Sequence, residues 1–241
     1  MLALAWLPSA AAAAPDLVGT WRVEWVATNQ AKVPLLGTTT ITTRQVSLAR
    51  IGPGAEGLVQ EHDACAIRAE ARLATTTFPD GFLAALPHKV YAPTLTSEGE
   101  TWRYRADTGP LFIGYDPLLS PDGVPTEIDH PSVTDWDADG RPGGTVRVKA
   151  PLFSEVDVYV VQRSRGLLDG LAEVRDGRVV GLRGSFVLDG FEQHTIGASN
   201  RLFHTTPRAT FVPESSWFEM HRVADDATCA SITEPDRSPS R

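Results

Sequence analysis

Past Gly19 the chain never holds apolar side chains at helical spacing for three turns; it alternates instead. Trp21, Val23 and Trp25 are separated by Arg22 and Glu24, the period of two that a half-buried strand requires. Thr38 to Ile51 is dense in Thr, Ile and Val, and its apolar parity changes between Ile41 and Val46/Leu48, the sign of a bulge or bend. Cys65, Ile67, Ala69, Ala71 and Leu73 alternate with Arg68, Glu70 and Arg72; the alanines, with no Gly or Pro among them, leave a helix as the alternative there. Thr101 to Arg105, Thr145 to Val148, Val156 to Gln162, Phe191 to Ile196 and Ser216 to Val223 are further strand segments. Asp176-Gly177, between two β-rich runs, predicts a two-residue hairpin, because a type I′ turn needs positive φ at both positions. Only Pro79 to Pro87 reads as a short helical turn. With 20 Gly and 18 Pro punctuating these runs, βαβ alternation and a helical bundle are excluded, leaving an all-β barrel or sandwich. Gly109 to Gly144 reads as a long loop-rich insertion.

At 241 residues and 42% hydrophobic content the chain can bury one sizeable core, and residues 15–232 are expected to form a single domain. Twenty-two basic against 30 acidic side chains give a formal charge of -8, which argues against a nucleic acid or an anionic membrane surface as main partner. Leu2 to Ala14 is uncharged and ends in an alanine run before Pro15, the pattern of a secretory leader with its cleavage site, although no basic residue precedes Arg22. Thirteen such residues are too few to span a bilayer, which takes about 20. A periplasmic or secreted protein is therefore expected. There an even pair of cysteines, Cys65 and Cys229, invites a disulfide; two unpaired buried thiols are the alternative. The stretch 233–241, with its two Pro and two Ser, is expected to be a disordered tail.

Leu17-Val18-Gly19-Thr20-Trp21-Arg22 resembles the Gly-x-Trp opening strand of lipocalins and bacterial lipocalin-like domains. In that motif the Gly permits a tight turn at the base and the Trp closes the bottom of the core. A Cys229 to Cys65 bridge would likewise resemble the lipocalin disulfide that ties the C-terminal segment to a middle strand. The resemblance implies an up-and-down antiparallel β-barrel around an apolar ligand cavity. It covers about ten residues and a cysteine pattern, and the chain is longer than a usual single barrel of that family.

Asp135-Trp136-Asp137-Ala138-Asp139-Gly140 places three carboxylates at a spacing of two before a glycine and resembles the first half of an EF-hand-type calcium loop. The bidentate Glu of an EF-hand is replaced by Val146, so a calcium loop between strands is the form expected, with Glu127, Asp129 or carbonyls completing the shell. The competing reading is a polar turn whose carboxylates cap backbone N–H groups. Gly52 to Gly57 matches GxGxxG formally but lacks a βαβ context and reads as a hairpin loop. The six histidines form no metal motif and are expected at the surface or facing from strands; His62-Asp63 and Glu192/His194 are the pairs whose members can orient one another. Trp21, Trp25 and Trp102 are candidate ligand-binding aromatics, their alternative role being core, and Trp136 is expected to be exposed. The function expected is non-enzymatic: binding of a small apolar ligand, or a structural role, with a calcium-ordered loop. A hydrolase on a β scaffold, acting on carbohydrate or a small ester, is the alternative.

Overall fold

The computed structural model describes residues 13–33, 37–72, 74–150, 154–204 and 208–233. The expected leader lies outside them apart from Ala13 and Ala14, and so does the tail from 234 onward. In chain order the elements are β1 (Gly19–Val33), β2 (Gly37–Gly54), β3 (Gly57–Ala71), β4 (Ala74–Thr77), α1 (Asp80–Ala85), β5 (Lys89–Tyr91), β6 (Thr94–Glu98) and β7 (Thr101–Ile113). An irregular run, 114–143, follows. It leads to β8 (Gly144–Lys149), β9 (Val156–Arg175), β10 (Arg178–Ala198), β11 (Arg208–Phe211), β12 (Trp217–Arg222) and α2 (Cys229–Thr233). Thr233, expected in the tail, is the last residue of α2.

The strands form one antiparallel sheet rather than two packed sheets. Eight of them close a ring of hydrogen-bonded neighbours in the order β10-β12-β1-β2-β3-β4-β8-β9, with β9 returning to β10. β7 pairs with β9 beyond the end of β8, and β6 extends it. The segment 65–71 is strand, not helix: both edges of β3 are claimed by backbone partners, and that pairing overrides the helix propensity of its alanines. Asp176 and Gly177 adopt φ of 49° and 73°, as the hairpin requires, and the strands they join run to 20 and 21 residues. The insertion begins later than the sequence implies. β7 passes Gly109 and Pro110 through a register shift, an irregularity at which a residue with no N–H to donate is tolerated, and continues to Ile113.

Alternation places the core. On β9, Val156, Val158, Val160 and Leu168 are buried inward, and Asp157, Arg163, Arg165 and Asp169 occupy the opposite parity. Inside one half of the ring, Trp21, Val23, Tyr104, Leu168, Phe186, Phe218 and Met220 form the main core. The parity change on β2 has a two-sided cause: Ala49 and Ile51 belong to this core, whereas Val46 and Leu48 face outward beneath α2 and the Cys65–Cys229 disulfide. The register shift near Val46 and Ser47 leaves Cys65 as the extra residue that meets α2. The run 114–143 covers part of the outer face, where Tyr115 and Val124 bury Tyr159 and Val161 of β9.

Candidate functional site

Gly19 and Trp21 lie at one end of the ring, near the start of β1. Trp21 is fully buried, and the Arg222 guanidinium lies 4.7 Å over its ring while donating to the carbonyls of Asp16, Val18 and Val179. Gly19 sits at φ 146°, which other residues rarely adopt, and a Cβ there would also displace the Arg222 guanidinium. Trp25 is half-buried and stacks on Phe186 at 4.6 Å, and half-buried Trp102 lies between Ser97 and Ala172 in the register. Two open depressions lie on the described surface, one lined by Thr38, Thr40, Thr42, Glu70 and Arg72, the other by Asp16, Arg50, Arg178, Arg222 and Asp225. None of the three candidate tryptophans lines either.

The core also holds a chain of polar groups. The Tyr104 hydroxyl donates to Gln60 Oε1 at 2.7 Å, Gln60 Nε2 donates to the Tyr91 hydroxyl at 2.8 Å, and Tyr91 meets His62 Nδ1 at 3.0 Å. Burial lowers the His62 pKa to about 4, so the ring is neutral, and burial raises the Tyr91 and Tyr104 hydroxyls. His62 is thus a strand-facing histidine whose face is the core. Its neighbour Asp63 points away to His88 Nδ1 at 2.7 Å, because adjacent strand residues face opposite sides. Gln60 and His62 share the parity of inward residues on β3, which is the signal that could have placed them. The pair Glu192/His194 does form, at 3.2 Å.

The acidic loop is built at the end of the outer segment. Gly143 N donates to the Thr134 carbonyl and Trp136 N to the Gly143 carbonyl, pinching residues 135–143 into a loop that enters β8. Trp136 anchors it. Its ring packs edge-on against Phe82 of α1 at 5.0 Å, in a cluster with Ile113, Val146 and Val158, so it is half-buried rather than an exposed contact. The anchor lies far away in sequence and could not be read from the loop itself.

Asp135, Asp137 and Asp139 each offer one carboxylate oxygen within 4.8 Å of the others, a set that can hold a metal ion; Glu127 and Asp129 do not belong to the group. Capping of backbone N–H groups also occurs. Asp135 accepts from Asp139 N and Gly140 N at 3.1 and 3.0 Å, and Asp139 accepts from Arg141 N at 2.8 Å. Asp137 is different. It is 7% exposed, its Oδ2 accepts from Thr145 N at 2.8 Å, and its Oδ1 is buried with no hydrogen-bond partner. Burial, reinforced by the charges of Asp139 and Asp135, raises its pKa. A buried carboxylate beside two more is costly unless a cation balances it.

The disulfide between Cys65 and Cys229, with Cα atoms 5.0 Å apart, ties α2 to the outer face of β2 and β3. No helix among the described residues is long and apolar enough to cross a membrane. No protein-family model, characterised protein or solved structure matches the chain.

Proposed function

We propose that the protein is a secreted or periplasmic, non-enzymatic β module whose 135–143 loop is ordered by a bound calcium ion. The observation that carries this reading is the buried, unpartnered Oδ1 of Asp137 within a group of three converging carboxylates. Calcium fits the donor set: the oxygens are hard, no histidine or cysteine among the described residues joins them, and an irregular loop suits calcium's flexible coordination better than the strict octahedron of magnesium. The disulfide supports the oxidising compartment, where free calcium is plentiful enough for a millimolar-range site.

A lipocalin-like relationship is proposed alongside it, supported by Gly19 and Trp21 at the closed end of the ring. Trp21, Tyr104 and Phe218 are fully buried side chains packed in the main core, which favours a filled interior over a ligand cavity. The structural role therefore has more support than ligand carriage.

Calorimetric titration of calcium into the oxidised protein tests the reading. Binding with Kd in the range of about 0.1 to 1 mM is expected, and Asp137→Asn, which keeps an acceptor for Thr145 N, should abolish it. A wild type that takes up no calcium at several millimolar overturns the proposal.

A further inference from the structure

Asp137 is not alone in lacking a partner. Thr145, the second residue of β8, is 3% exposed, and its Oγ1 is also buried without a hydrogen bond. The two residues form one pair: Thr145 N donates to Asp137 Oδ2 at 2.8 Å, so both orphaned oxygens belong to groups already in contact. Thr145 stands opposite Tyr159 in the ladder, on the outer face that the segment 114–143 covers, which explains how a hydroxyl on the outside of the ring becomes buried.

The choice of threonine here needs a reason. A β-branched residue suits a strand, but valine has the same shape and leaves no hydroxyl stranded, and an unsatisfied buried hydroxyl is destabilising. Val146 and Val148 occupy neighbouring positions of the same strand. A hydroxyl retained on the residue whose N–H meets Asp137 would add an uncharged oxygen donor to the three carboxylates, and it comes from the ring itself rather than from the loop.

We infer that Thr145 is a cation-site residue, its hydroxyl oxygen turned to the ion or to a water that the ion holds. The inference rests on the cation reading above and assigns a role to β8 that the carboxylate motif does not contain. It makes the ion a bridge between the loop and the ring. Asp137 and Thr145 would grip the ion from beneath, and Trp136, between two of the carboxylates, already packs on Phe82. Gly144, next to Thr145, leaves no room for a side chain between Ile113, Phe82 and Trp136.

The test is calcium affinity and thermal midpoint measured on wild type, Thr145→Val and Thr145→Ser. The valine variant should bind calcium about 10- to 100-fold more weakly, the range seen when a supporting donor of a metal site is removed. In chelator it should melt at or above the wild-type temperature, because it has lost an unsatisfied hydroxyl. The serine variant, which keeps the oxygen, should retain wild-type affinity. Thr145→Ala must show the same loss of affinity as valine, so the outcome does not depend on how valine packs. Wild-type affinity in the valine and alanine variants overturns the role of Thr145 while leaving the carboxylate site standing. Absence of calcium binding by wild type removes both.

Discussion

Inside the closed half of the ring, Tyr104, Gln60, Tyr91 and His62 pass hydrogen bonds from one to the next among the buried apolar residues of the core. Under the outer loop, Asp137 and Thr145 are buried as deeply, yet each keeps an oxygen without a partner. The first region is chemically complete within its own side chains. The second leaves two buried oxygens without a partner, which the proposed cation would supply. An unpartnered buried oxygen is not enough by itself, since Asn29 Oδ1 on β1 is another; what sets the second region apart is that its orphaned oxygens accompany three converging carboxylates.

If the ring is self-sufficient, damage to it is severe and indifferent to calcium. Phe218→Ala removes a fully buried ring that meets Tyr104 at 5.9 Å, and should cost about 3 to 5 kcal/mol in denaturant unfolding, equally with calcium and with chelator. A loss that calcium partly restores would mean the two regions are not separate.

Acidification is the next largest lever. His62 has a folded pKa of about 4 against an ordinary 6.5, so between those values the unfolded chain holds a proton that the folded one refuses. Stability is full above pH 6.5 and falls as pH drops toward 4, by on the order of 3 kcal/mol from this residue. Asp63, Lys89 and His88 are the charged and titratable neighbours, and their effects on His62 are smaller than that of burial. His62→Gln, which keeps a partner for Tyr91, should flatten the pH dependence of the unfolding free energy across that window; an unchanged slope contradicts the assignment.

Breaking the chain at its centre is milder. Gln60→Leu leaves the Tyr104 hydroxyl without its acceptor and takes one of two partners from the Tyr91 hydroxyl, and should cost about 1 to 3 kcal/mol. The smallest and most telling change is Asp137→Asn measured in chelator. It removes a buried charge from beside two others, and the melting temperature should hold or rise slightly, whereas the same substitution lowers it when calcium is present.

The strands were legible because alternation is local: Trp21, Val23 and Trp25 declare their face within five residues, and Asp176-Gly177 declares its turn within two. The three aspartates were legible for the same reason. What escaped was set by distant partners. His62 could be placed no more closely than at the surface or on a strand face until β3 put it on the face of Gln60 and Tyr91. Trp136 looked exposed until α1 brought Phe82 to it, from more than fifty residues earlier. Thr145 read as an ordinary strand residue, since nothing in its neighbours tells that the outer face above it is covered.

The central claim is that the loop of Asp135, Asp137 and Asp139 is finished by a cation. Thermal unfolding of the oxidised wild type in about 5 mM calcium and in excess chelator tests it directly, because an ion that binds only the folded state must raise its stability by mass action. A site in the expected affinity range should raise the midpoint by roughly 2 to 6 °C. Superimposable transitions would contradict the account and leave the three carboxylates as a polar turn.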